Sequence, residues 1–197
     1  MLRTLFLVAA VLSLHGDGLR VRAPEEMGMS TTRLARIDGI VNKAIASGGF
    51  PGAAVVVGRG GAIVYENGFG RLSWKPGDAP VSPDESIYDL ASLTKVVGAT
   101  TAIMVLYDAG KLDLDDKVQK YLPDFVGARK NEVTIRQVLA HRGGLAPGRE
   151  LWKKAKSPAH AREMVVTTKL AYRPGKLMIY SDLGGDILGW VAEAASG

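Results

Sequence analysis

The amino-acid sequence predicts an α+β fold: an antiparallel sheet flanked by helices, with a helical subdomain, and the sheet itself incomplete. Three observations carry this. Two β-branched runs joined by a glycine turn fill about 53–66, an apolar helical run follows at about 92–109, and from 110 to 180 the cap and turn signals mark only helices. A lone hairpin is barely stable in water, so these two runs call for further strands beside them.

The first element is a targeting segment, 1–23. Arg3 supplies a positive start, Leu5 to Leu14 an apolar stretch, and Val21-Arg22-Ala23 a small-residue site. The expected fate is export, to the periplasm or outside the cell. The apolar stretch is too short to span a bilayer as a helix, so no stable membrane span is expected. The alternative is a buried N-terminal strand or helix.

The remainder, 24–197, reads as one domain. Ser30 caps a helix whose apolar positions Leu34, Ile37, Val41, Ala44 and Ile45 follow helical spacing, and Gly48-Gly49 ends it. The hairpin Ala53 to Gly58 and Ala62 to Glu66 turns through Arg59-Gly60-Gly61. Arg71 to Ile87 is loop, punctuated by three prolines. Val96, Val97, Ala99, Ala102, Ile103, Val105 and Leu106 are apolar nearly all round a helix, which places that helix in the middle of the domain. Asp113 and Asp115 open a short helical piece, Thr134 with Gln137 forms a capping box, Ser157 precedes a helix with Pro158 at its first position, and Ser181 caps a last helix.

Composition excludes several chemistries. The chain has 197 residues, no cysteine and a formal charge of +5, of which about +3 belongs to 24–197. A thiolate site, a Cys nucleophile and a disulfide framework are ruled out. His15, His141 and His160 are too scattered to form a metal-ligand pattern, and no cofactor is called for. No lysine-arginine cluster is dense enough to suggest nucleic acid.

The chemistry-bearing stretch is Asp89-Leu90-Ala91-Ser92-Leu93-Thr94-Lys95. Three residues apart at the start of a helix, Ser92 and Lys95 fall on one face, so the amine can take the serine's proton provided burial keeps it partly deprotonated. Alone the motif is weak. About ten serines and about twelve lysines in a chain of this length give one Ser-x-x-Lys by chance roughly 0.6 times. The bland reading is a helix cap followed by a solvated lysine. A second constellation, Tyr180-Ser181-Asp182, follows a Pro-Gly turn and precedes the last helix. A tyrosine near Lys95 would have its phenolate favoured and could act as general base; otherwise it is a tyrosine packed at a loop-helix junction.

With both motifs in this order, the sequence resembles the serine β-lactamase and penicillin-binding superfamily, in its class C β-lactamase and esterase branch. Ser92-Leu93-Thr94-Lys95 matches the family's Ser-x-x-Lys and Tyr180-Ser181-Asp182 its Tyr-x-Asn; Phe50-Pro51-Gly52-Ala53, Ala109 to Asp116 and Tyr172-Arg173-Pro174-Gly175 are similar to other family stretches. The resemblance implies a β-lactamase/transpeptidase-like fold. It also implies a serine hydrolase that cleaves an ester or amide through a Ser92 acyl-enzyme, with Lys95 and Tyr180 as the proton-transfer pair and Asp182 in substrate binding. Implied partners are a small ester, a β-lactam or a cell-wall peptide. The oligomeric state stays open, as does which of Lys95 and Tyr180 is formally the base.

Three departures qualify the match. Asp182 stands where the family usually has Asn, and an ionised Asp can only accept hydrogen bonds. His141-Arg142-Gly143-Gly144-Leu145 differs in its centre from the family's His-Thr-Ser-Gly-Leu and is read as structural, the alternative being a catalytic His141, for which the sequence places no acid partner. The family's closing strand motif has no counterpart, so the residues are expected to form the N-terminal part of a longer protein. The alternative function is a non-catalytic penicillin- or peptidoglycan-binding relative, or an inactive truncated fragment. Trp74, Trp152 and Trp190 are read as packing rather than a substrate cleft.

Overall fold

A computed structural model of the chain describes residues 18–197, in two compact units that divide between Tyr88 and Asp89. The apolar stretch Leu5 to Leu14 of the expected targeting segment lies outside the described residues.

In the first unit, Ser30 caps α1 (Thr31–Leu34) by accepting the Arg33 N–H at 3.3 Å, and α2 (Arg36–Ala46) follows directly. The hairpin forms on the two β-branched runs: β2 (Gly52–Arg59) runs antiparallel to β3 (Ala62–Gly70), with a register shift between Val57 and Gly58. A short strand, β1 (Arg20–Val21), pairs parallel to β3, giving a three-stranded mixed sheet of order β1-β3-β2. This strand falls on residues read from sequence as the end of the targeting segment; two residues are too few to carry a strand pattern. Asp38 of α2 accepts hydrogen bonds from the Tyr65 hydroxyl (2.5 Å) and Asn67 (3.4 Å), fixing the helix on β3. The loop after β3 closes so tightly that a Cβ on Gly68 would sit 2.0 Å from the Val81 carbonyl oxygen.

The second unit is helical. The segment expected as one helix at 92–109 divides into a 3-10 turn (Ala91–Leu93), a π-helical stretch (Lys95–Thr100) and α3 (Thr101–Asp108). Threonines explain the wide turn: Thr100 and Thr101 hydroxyls donate to the carbonyls five residues back, Lys95 (2.9 Å) and Val96 (3.1 Å). The expectation that this helix occupies the middle of the domain is corrected. Ile103 is 1% exposed, but Val96 and Val97 are 60% and Val105 63% exposed. A helix apolar all round is buried only if a second layer covers its far face, and no element of this unit does so.

The centre is instead α8 (Asp182–Ser196), whose Leu183, Ile187, Leu188 and Val191 form a buried stripe. Around it pack Val118 of α4 (Val118–Tyr121), Ile135 and Val138 of α5 (Ile135–Leu139), and Val165 of α7 (Pro158–Val166), with Phe125 between. The Thr134 capping box and the Ser157 and Ser181 caps form as the sequence implies. Asp113 and Asp115 do not open a helix; Asp113 Oδ1 accepts the Asp115 N–H at 2.8 Å in a turn, and helix begins only at Val118. A short α6 (Leu151–Lys154) was not anticipated, its four residues being too few for periodicity. Lys130 is fully buried, its Nζ donating to the Val166 carbonyl at the C-terminal end of α7 and lying 4.6 Å over the Phe125 ring.

Candidate active site

Ser92 is presented by a constrained turn. Ala91 has φ 43°, a region costly for a residue with a Cβ, and its N–H is held by Asp89 Oδ1 at 2.8 Å. Ser92 follows within the single 3-10 turn, and Lys95 Nζ, one turn later, donates to Ser92 Oγ at 3.2 Å. The two residues expected to meet from their spacing therefore do meet.

The other side of the site comes from the start of α8, which is tied down from below. Ser181 is buried; its hydroxyl donates to the Ala146 carbonyl (2.6 Å) and accepts the Gly184 N–H (3.3 Å), while the Asp182 N–H donates to the Pro147 carbonyl (2.7 Å). This fixes Tyr180 and Asp182 on either side of the cap. Asp182 Oδ1 lies 2.8 Å from Lys95 Nζ, and that same nitrogen is 5.2 Å from the centroid of the Tyr180 ring. Ser92, Lys95, Tyr180 and Asp182 thus converge, with Lys95 touching the other three.

Charge follows from this geometry. Asp182 first, and the Tyr180 oxygen second, hold the Lys95 ammonium above its ordinary pKa, with partial burial working weakly against them. The sequence reading asked burial to keep this amine partly deprotonated; the carboxylate 2.8 Å away does the reverse. The Ser92 hydroxyl first, and Lys95 second, hold the Tyr180 phenol below its ordinary pKa. The arrangement favours an ammonium beside a phenol that gives up its proton more readily than a free one.

Sequence reasoning missed one residue of the site and gave another no contact with it. Asp186, one turn beyond Asp182 on α8, lines the same depression as Thr94, Lys95 and Gly185, and burial with the nearby Asp182 charge pushes its carboxyl up. Its i,i+4 spacing from Asp182 was the available signal. His141, read as structural, lies with its ring centroid 4.6 Å from that of Tyr180 at an interplanar angle of 37°. The sequence held no signal for that contact. Of the tryptophans, Trp190 packs on the core as expected, whereas Trp74 and Trp152 are exposed. Among the described residues no helix is long and apolar enough to cross a membrane.

Comparison with known proteins places the chain in a family. A protein of Escherichia coli strain K12, provisionally named a D-alanyl-D-alanine carboxypeptidase, is 30% identical over 193 residues, which cover 89% of this chain and 44% of that protein. A solved hydrolase with promiscuous acyltransferase activity superposes with TM-score 0.70 at 28% identity, over 83% of this chain and 47% of its own. A class C β-lactamase superposes with TM-score 0.73 at 24% identity, over 85% and 45%, a likeness of fold. The chain therefore spans less than half the length of these relatives. The Beta-lactamase family model matches residues 37–197. With most of its length inside that match and the β-lactamase/transpeptidase-like fold around it, the chain belongs to the β-lactamase family.

Proposed function

We propose that the protein is a serine acyl hydrolase, acting on an ester, a β-lactam or a D-alanyl-D-alanine-type peptide through a Ser92 acyl-enzyme. The observation that carries the reading is Lys95 Nζ placed 3.2 Å from Ser92 Oγ and 2.8 Å from Asp182 Oδ1, with Tyr180 alongside. Because Asp182 keeps Lys95 charged, the proton acceptor is the Tyr180 phenolate, which that ammonium stabilises. Ser92 Oγ attacks the carbonyl carbon as its proton passes to Tyr180. The tetrahedral oxyanion is met by the Ser92 N–H, which lies in the first turn of a helical segment where backbone donors lack intrahelical acceptors. Collapse expels the leaving group, which takes the proton back from Tyr180. Water then attacks the acyl-enzyme, again giving its proton to Tyr180, and as the Oγ–acyl bond breaks Tyr180 returns that proton to Ser92 Oγ, which releases the acid and regenerates the free serine.

The provisional name of the E. coli relative supports the peptide among the three substrates, and the Arg3 and Leu5 to Leu14 pattern supports an exported site of action. The test is intact-mass spectrometry after brief exposure to a fluorophosphonate ester, which forms a bond from Ser92 Oγ to phosphorus and expels fluoride. One adduct is expected, absent from Ser92→Ala. Equal labelling of the Ala variant would remove Ser92 from the mechanism. Labelling without turnover of an activated ester would favour a penicillin-binding relative that acylates and stops.

A further inference from the structure

We infer that His141 is the positioning residue for Tyr180, holding that phenol against Ser92 and Lys95 by gripping the main chain on both sides of it. The inference rests on the role given above to Tyr180.

Three contacts make the grip. The His141 carbonyl accepts the Ile179 N–H at 2.9 Å; His141 Nδ1 accepts the Ser181 N–H at 3.2 Å; and the imidazole lies against the Tyr180 ring, centroids 4.6 Å apart. Residues 179 and 181 are the two neighbours of Tyr180, so the main chain just before it and the peptide unit just after it are both tied to a single residue. The ring contact then restricts the remaining freedom, rotation of the phenol about its side-chain bonds. Without such a hold a half-exposed tyrosine would sample several rotamers, and a base must sit within hydrogen-bond reach of the proton it takes.

His141 is itself held in an unusual conformation. It follows α5, donates its N–H to the Val138 carbonyl at 3.0 Å, and has φ 54°. That left-handed turn is uncommon for a residue with a Cβ. It allows carbonyl and side chain of one residue to reach the same neighbouring strand of loop. The Nδ1 contact also fixes the tautomer: a nitrogen that accepts the Ser181 N–H carries no proton, so the neutral ring bears its hydrogen on Nε2. His141 makes no hydrogen bond to Ser92 or Lys95, and its role runs through Tyr180.

The experiment uses two substitutions that tolerate positive φ. His141→Gly removes ring and acceptor without backbone strain; His141→Asn keeps an acceptor oxygen where Nδ1 stood but removes the ring. Each is made in the full chain with and without Tyr180→Phe, and Tyr180 ionisation is read as the difference in phenolate absorbance between members of each pair. Folding is checked by circular dichroism, and Ser92 labelling by fluorophosphonate is timed in parallel. His141→Gly is expected to move the Tyr180 titration upward toward that of a free tyrosine and to slow labelling by roughly tenfold, with His141→Asn recovering part of both. A folded Gly variant whose Tyr180 titrates as in the parent overturns the inference. Should the Gly variant fail to fold, an Asn variant indistinguishable from the parent in both readouts overturns it too. The titration needs no turnover, so absence of Ser92 labelling in the parent would sink the hydrolase reading while an unmoved titration would sink the role of His141 alone.

Discussion

A lysine beside a nucleophilic serine can serve as a neutral amine that takes the proton or as an ammonium that makes another group take it. In the proposed mechanism Asp182 selects the second. Its carboxylate, 2.8 Å from Lys95 Nζ, favours the charged form, and the charged form in turn favours the Tyr180 phenolate. The pH dependence follows. Tyr180 titrates below its usual value, so the rate of Ser92 acylation should rise with pH on a limb lying below the ordinary tyrosine pKa of about 10. Lys95 titrates above its usual value, so the rate should fall only when pH exceeds the ordinary lysine pKa of about 10.4. Asp182→Asn removes the carboxylate that holds the ammonium. The falling limb should move to lower pH, read from labelling rates across the pH range. A limb that stays in place would mean Asp182 does not set the charge of Lys95.

At the scale of elements, the site depends on how closely α8 lets Lys95 lie along it. A Cβ on Gly185 would sit 3.1 to 3.3 Å from the Cγ, Cδ and Cε of Lys95. The lysine stem is flexible and would give, so Gly185→Ala should leave the fold intact and gain up to about 1 kcal/mol of helix propensity. The displaced Nζ should slow Ser92 labelling by roughly tenfold. A thermal melt raised or unchanged beside slower labelling is the expected pair of results. The Thr134 cap shows a purely local contribution: Thr134 Oγ1 accepts the Gln137 N–H at 3.2 Å, and the Gln137 side chain accepts the Thr134 N–H at 3.1 Å. Thr134→Ala should cost about 1 kcal/mol, seen as a lower urea midpoint with unchanged slope.

For the molecule as a whole, acid stability should depend on Asp116. Its Oδ2 accepts from Lys120 Nζ (2.8 Å), the Tyr121 hydroxyl (2.6 Å) and the Asp113 N–H (2.9 Å), which lowers its pKa to about 2. A carboxyl depressed in the folded state stabilises above its unfolded pKa of about 3.9 and loses that contribution as pH falls through the folded value. After solvent screening the contribution is about 1 to 2 kcal/mol. Asp116→Asn should remove it at neutral pH and flatten the loss of stability between pH 4 and 2, measured by urea unfolding at each pH. The caps at Ser30, Thr134, Ser157 and Ser181, the hairpin turn and the Ser92 to Lys95 spacing were all legible in the sequence, because each is a hydrogen bond or face shared within a few residues. The exposure of Val96, Val97 and Val105 was not, since an apolar side chain is buried only by what tertiary packing lays over it. Nor were the parallel pairing of β1, the protonation of Lys95 or the grip of His141 on Tyr180. The sequence by itself singled out the residues that the proposed acyl transfer uses. Only the tertiary structure decided which of them carries the charge and what holds them, because His141, Tyr180 and Asp182 lie about 50 to 90 residues beyond Ser92 and are brought to the site through the fold alone.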